Sequence, residues 1–165
     1  MVKKLLILGL VLFCLGPSVA IVSVGALLGP VLCITGSLTV GPIPDSLTAT
    51  TADGTQVTLD RQQLTHAATV ITTGAGVPGV GQPGVRVALT AGLTESRLRM
   101  LVNTGAYPES GSFPNDGDAS DHDSLGIFQM RPQAGWGTVA ELMDPVYQSR
   151  AFYGGPDGPN YPSPR

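Results

Sequence analysis

The longest apolar stretch of the chain lies at its N-terminus. Residues 5–40 contain no charged side chain, and Lys3 and Lys4 precede them. A positively charged start followed by an apolar segment is typical of a secretory signal, and residues 5–28 also have the length of a bilayer-spanning helix. We therefore assign residues 1–35 to a signal anchor or a cleaved signal peptide, with the remainder of the chain outside the cytoplasm.

The segment that follows changes to turn-forming residues and then to helical periodicity. Residues 36–56 are rich in Gly, Pro, Ser and Thr and predict a linker, and residues 55–59 form the one short strand pattern. Over residues 60–74 the spacing of apolar residues predicts a helix, which Asp60 and Gln63 begin with a capping-box pattern. Its expected apolar stripe consists of Leu64, Ala67, Ala68 and Ile71.

A second helix is expected over residues 85–101. Small residues on its apolar face, among them Ala88 and Gly92, would allow a neighbouring segment to pack closely. Glu95 lies at the margin of this face, which predicts a partly desolvated carboxyl group in a groove. The alternative for Glu95 is a surface side chain paired with Arg99, one helical turn farther on.

Beyond a polar loop over residues 103–123, the pattern predicts further short elements. Residues 124–130 predict a short helix or turn with three apolar anchors, and residues 154–165 form a tail rich in Gly and Pro. Thr138 and Glu141 form a capping box, and Asp144 precedes Pro145 as a helix N-cap. The anchors are Leu125, Ile127 and Phe128. These patterns together predict a mainly α domain over residues 57–153.

Charge and cysteine content exclude several classes of function. The formal net charge is −3, which argues against a nucleic-acid-binding surface. Cys14 and Cys33 both lie in the apolar N-terminal segment, so no disulfide is expected in the rest of the chain. The chain has two histidines and no cysteine beyond Cys33, which argues against a zinc site. We expect neither a metal ion nor an organic cofactor.

Two motifs in order carry a family resemblance. Glu95-Ser96 and Ser124-Leu125-Gly126-Ile127-Phe128-Gln129-Met130 resemble motifs of the lysozyme-like lytic transglycosylases. The run over residues 120–153 is similar to a group of exported actinobacterial proteins in which this domain is often joined to a cell-wall peptidase domain. The resemblance implies a mainly α, lysozyme-like helical domain over residues 57–153. It also implies that this domain is truncated, because the family's domain continues with further helices.

The resemblance further implies cleavage of peptidoglycan glycan strands, by a lytic transglycosylase or a muramidase. Glu95 would be the single catalytic acid/base, kept protonated by a partly apolar site and acting first as acid and then as base. Ser124, Gly126 and Gln129 would bind the substrate, Gly126 by admitting the sugar close to the backbone and Gln129 through its amide. The implied partners are peptidoglycan strands, the membrane through the N-terminal helix, and a cell-wall peptidase, with no nucleic acid.

Several alternatives stay open at this point. The chain would otherwise be a non-catalytic peptidoglycan-binding module or an inactive remnant, in either case at the extracytoplasmic face of the membrane or secreted. Trp136 would stack on a sugar ring or pack in a turn, and His66 is expected to be a surface side chain without a partner. Residues 115–123 predict a second carboxylate for a hydrolytic reaction, a calcium loop or a solvated turn. The residues in question are Asp116, Asp118, Asp121, His122 and Asp123.

Overall fold

The computed structural model describes residues 38–119 and 122–154. The predicted N-terminal hydrophobic helix and most of the predicted tail lie outside these residues. Within them, no helix is both long enough and apolar enough to cross a bilayer. In the described residues, four α-helices and one β-hairpin form a partly helical fold, so the prediction of a helical domain is confirmed in part.

A β-hairpin opens the described part of the chain. Strand β1 (Ser46–Thr50) pairs antiparallel with strand β2 (Gln56–Asp60), and the backbone N–H of Thr51 donates to the Thr55 carbonyl to close the turn. The linker assignment therefore missed β1. Its alternation of Leu47 with Ser and Thr is a weak signal by itself, because the strand becomes stable only when it pairs with β2.

Helix α1 (Arg61–Ala75) begins where predicted. Asp60 accepts a hydrogen bond from the Gln63 backbone N–H, and the Gln63 side chain accepts one from the Asp60 N–H, which confirms the capping box. The buried face, however, differs from the predicted stripe, whose members are only half-buried. Its buried residues are Gln63, His66, Val70 and Gly74. The polar members of this face turn inward because they have partners in the loops described below.

Helix α2 (Gly81–Glu95) ends six residues earlier than predicted. The backbone enters the left-handed region at Arg97 and Leu98, with φ of 58° and 62°. The N–H of Leu98 returns to the carbonyl of Gly92, six residues earlier, at 2.8 Å and so binds one of the carbonyl groups at the helix end. Leu98 is buried by this reversal, so tertiary packing stops the helix although the local sequence would allow it to continue.

The C-terminal helices are short and begin at the predicted caps. Helix α3 (Val139–Leu142) has the Thr138–Glu141 capping box, and helix α4 (Pro145–Tyr153) has Asp144 as its N-cap. Two 3₁₀ helices, Pro108–Ser112 and Pro132–Ala134, lie in the connecting loops.

Helix α1 packs against both α2 and α4, and the segment over residues 124–130 fills the space between them. Gly92 permits this arrangement, because a Cβ there would lie 2.8 Å from Leu98 and 3.1 Å from Ile127. The three predicted anchors of the segment are all buried, as expected. The core consists of Val70, Ala88, Leu98, Met100, Val102, Leu125, Ile127, Phe128, Met130, Leu142, Met143 and Ala151.

Candidate functional site

Glu95 is the last residue of α2, and its side chain is exposed. The predicted partial desolvation by the protein is therefore wrong. The alternative ion pair with Arg99 is absent too, because Arg99 lies beyond the helix end and its Nε donates to the Ser96 carbonyl at 3.1 Å. Among residues 38–119 and 122–154, no hydrogen bond or ion pair reaches the Glu95 carboxylate. This carboxylate is thus accessible to a bound molecule.

Ser96 joins the two motifs that the sequence singled out. Its side chain is buried, and its Oγ donates to the Ile127 carbonyl at 2.7 Å. The backbone N–H of Arg99 donates to the same Oγ at 3.0 Å. The residue after Glu95 is therefore fixed directly to the second motif, 31 positions farther along the chain.

The second motif, residues 124–130, forms a tight turn rather than a helix. Leu125 and Met130 exchange both backbone hydrogen bonds, at 2.9 and 3.0 Å, and the N–H of Gly126 donates to the Leu101 carbonyl. Gln129 adopts a left-handed backbone with φ of 49°, and its amide donates to the Gly126 carbonyl at 2.9 Å. Left-handed non-glycine residues are strained and frequent at functional sites. In this protein they occur on both sides of the Ser96–Ile127 hydrogen bond, at Arg97 and Leu98 after Ser96 and at Gln129 after Ile127.

Gln148 of α4 supports this turn from the interior. It is fully buried, its Oε1 accepts from the Phe128 N–H, and its Nε2 donates to the carbonyls of Leu125 and Leu142. The sequence does not predict this role of Gln148, since a lone glutamine on an amphipathic helix gives no signal of a partner 20 residues away. Gln148 satisfies backbone groups that the tight turn leaves unpaired.

The three predicted substrate-binding residues differ in exposure. Gly126 is buried, and a Cβ on it would lie 1.6 Å from Nε2 of Gln148, so its lack of a side chain serves packing inside the protein. This corrects the reason assigned to Gly126, which was close approach of a sugar. Ser124 is also buried, whereas Gln129 is half-buried and is the one of the three with appreciable exposure.

A second polar cluster lies at the base of the turn, where Asp123 is held between Arg131 and Tyr107. Arg131 donates from Nε to Oδ1 of Asp123, and the Tyr107 hydroxyl donates to Oδ2 at 3.2 Å. The Asp123 side chain is only 8% exposed. The prediction that Asp123 belongs to a solvated loop is therefore wrong. Its burial is tolerated because two donors compensate the loss of water.

The same neighbours change the protonation of Asp123. Burial raises the pKa of its carboxyl group. The hydrogen bonds from Arg131 and Tyr107 lower this pKa by more than burial raises it, so the net pKa lies below the usual 3.8. A lowered folded-state pKa stabilises the fold above the unfolded-state value, and this contribution is lost as the pH falls through the folded-state pKa.

We expect Asp123→Asn to be less stable than the wild type at neutral pH, with the difference shrinking below pH 3.8. Denaturant unfolding from neutral pH down to about pH 2.5 measures this difference. Asp45→Asn, at the exposed Asp45–Arg61 ion pair, is the control and should change stability little at any pH. A constant deficit of Asp123→Asn across the pH range would show that its charge is not the cause.

Asp116 and Asp118 also bind protein groups, whereas Asp121 lies outside the described residues. Asp116 accepts from the Met100 N–H at 2.7 Å and lies 2.8 Å from Nε2 of His66 through the same oxygen, while Asp118 binds the Thr104 hydroxyl. His66 is 6% exposed, so its assignment to the surface was wrong. The bonds of Asp116 attach the loop over residues 103–119 to α1 and to the segment after α2, and the Asp118 bond joins the two ends of the loop. Within the described parts of the chain, no three acidic, His or Cys side chains cluster in a way that would hold a metal ion.

An open groove of about 660 Å³ runs along α1 and α4. Thr65, Thr69 and Thr72 of α1 and Val146 of α4 contribute to its walls. None of the predicted site residues lines it, so the groove and the candidate site are separate features.

The arrangement thus brings Glu95 and the turn of the second motif together through Ser96, and it places the Asp123–Arg131 pair at the base of that turn. No family model matches the chain, and no curated protein matches it either. The functional assignment therefore depends on the chemistry of these residues.

Proposed function

We propose that this protein cleaves glycan strands of peptidoglycan, as a lytic transglycosylase or a muramidase, with Glu95 as the catalytic acid/base. The observation that carries this proposal is the hydrogen bond from Ser96 Oγ to the Ile127 carbonyl. It fixes the residue that follows Glu95 to a strained turn that contains a half-buried amide at Gln129, and the Glu95 carboxylate is exposed. A lysozyme-like helical domain is the finer fold assignment that goes with this proposal.

In the proposed reaction, Glu95 donates a proton to the glycosidic oxygen as the bond to the anomeric carbon breaks. A glycan strand lying over the carboxyl group would exclude water from the reacting bond. The resulting carboxylate then accepts a proton from the attacking hydroxyl group. An attack by the sugar's own 6-hydroxyl gives an anhydro product, and an attack by water gives a reducing end.

Glu95→Gln in the full chain tests this role. General acid catalysis contributes about 10²–10⁴-fold, and we expect a loss of release of soluble fragments from purified peptidoglycan in that range. Glu109→Gln, at another exposed glutamate, is the control and should retain wild-type release. Mass spectrometry of the products distinguishes anhydro ends from reducing ends. Equal release by Glu95→Gln and wild type would contradict the proposal.

A second function, binding of peptidoglycan without cleavage, is favoured by one observation. The Glu95 side chain is exposed, and no protein group within residues 38–119 and 122–154 binds its carboxylate or helps to exclude water from it. Cosedimentation with insoluble peptidoglycan, with no fragments released by either wild type or Glu95→Gln, would support this function. In either case we propose that the protein acts outside the cytoplasm, attached to the membrane through its N-terminal residues or secreted.

A further inference from the structure

Arg131 is fixed at both its backbone and its side chain. Its carbonyl accepts hydrogen bonds from the N–H groups of Ala134 and Trp136, at 3.1 and 3.4 Å. Its Nε donates to the buried Asp123, which the Tyr107 hydroxyl holds from the other side. An arginine that is held in this way has lost its rotamer freedom before any ligand binds, which lowers the entropic cost of binding.

The outer part of the same guanidinium group remains available. The Arg131 side chain is 46% exposed. A guanidinium has five N–H donors, of which Asp123 uses the one on Nε. Across the two stretches that the structure describes, the guanidinium group makes no hydrogen bond or ion pair other than the one to Asp123. The terminal nitrogens therefore present a rigid set of donors at the surface.

The charge of the pair indicates which acceptor suits it. Asp123 is ionised, since its pKa is lowered, and so it neutralises the positive charge of Arg131. A free anion would gain little net Coulomb attraction at this pair and would be repelled by Asp123. A neutral carbonyl oxygen gains a charge-assisted hydrogen bond without that repulsion.

We propose that the Arg131 guanidinium binds the acetamido carbonyl of an N-acetylated sugar, with Asp123 and Tyr107 as positioning residues. The choice of an N-acetylated glycan rests on the proposed function. Arg131 follows Ile127 by four residues, and four trans peptide units limit their Cα separation to about 15 Å. Ile127 is hydrogen-bonded to Ser96, which follows Glu95 directly in the chain. One glycan chain is therefore long enough to contact both Arg131 and Glu95.

Two neutral probes with the same β-1,4 backbone test this inference. N-acetylglucosamine tetramer carries the acetamido group, and cellotetraose carries a hydroxyl group in its place. For the full-length protein we expect about tenfold tighter binding of the acetylated probe by calorimetry. Arg131→Ala should remove this preference, and Arg131→Lys should remove most of it, because an ammonium group lacks the planar fork. Arg61→Ala, at an exposed Arg–Asp pair, should retain it.

The ratio of the two affinities separates binding from folding, since a folding defect weakens both probes equally. The inference is overturned if wild type shows no preference, if neither probe binds, or if Arg131→Ala keeps the wild-type ratio. Cleavage is measured separately with Glu95→Gln. If the preference for the acetylated probe depends on Arg131 but no cleavage occurs, this inference is retained and the catalytic proposal is wrong. If cleavage depends on Glu95 but Arg131→Ala keeps the wild-type affinity ratio, the catalytic proposal is retained and this inference is wrong.

Discussion

Replacing Gly126 with alanine is expected to unfold this protein or to remove most of its stability. The new Cβ would lie 1.6 Å from Nε2 of Gln148 and 2.7 Å from the Leu142 carbonyl. The backbone at Gly126 also has a φ of +73°, which costs an L-residue about 1–2 kcal/mol. Displacing the Gln148 amide would leave buried backbone groups unpaired at about 1–3 kcal/mol each. The sum approaches the whole stability of an ordinary domain, about 5–15 kcal/mol.

Gly135→Ala is a matched control for this substitution. Gly135 has a φ of +82°, but nothing lies within 4 Å of the position that its Cβ would take. It therefore carries the same kind of backbone strain without the collision, and we expect a loss of about 1–2 kcal/mol. Thermal unfolding followed by circular dichroism compares the two variants. Similar losses for both would mean that the close contact with Gln148 does not limit residue 126 to glycine.

Gln148→Leu is expected to destabilise the fold by about 3–6 kcal/mol, although leucine is apolar and of similar size. The substitution would remove the acceptor of the Phe128 N–H and the donor to the carbonyls of Leu125 and Leu142, all inside the protein. Each buried group left unpaired loses its partner without regaining water. The turn over residues 124–130 depends on these bonds, so glycan release should fall together with stability.

Ser149→Ala is the control on the same helix. Ser149 is as fully buried as Gln148, but within the described residues its hydroxyl donates to one group, the Pro145 carbonyl of the same helix. We expect a loss of about 1 kcal/mol, because that carbonyl belongs to the helix itself. Denaturant unfolding of both variants provides the comparison. If Gln148→Leu were as stable as Ser149→Ala, the turn would be held mainly by its apolar anchors and not by the Gln148 amide.

The starts of α1, α3 and α4 and the apolar anchors were predictable from the sequence, whereas α2 begins at Gly81, four residues before its predicted start. The capping boxes at Asp60 and Thr138 each involve residues three positions apart, so the physical interaction and the sequence signal are equally local. The anchors Ile127 and Phe128 are large apolar residues in a short segment between polar ones, and burial is their main source of stabilisation. The two motifs that contain Glu95 and Gln129 were also identified without the structure.

The sequence by itself therefore determined the presence of helices, the caps of three of them and the apolar anchors. Only the tertiary structure decided how these segments meet, because the decisive bonds join distant positions. Gln63 binds Arg97 across 34 residues, and His66 binds Asp116 across 50. Such bonds turn polar side chains inward and end α2 at Glu95, whose side chain is exposed. A local pattern does not contain this information, since the burial of a polar group depends on a partner that only the folded chain brings near.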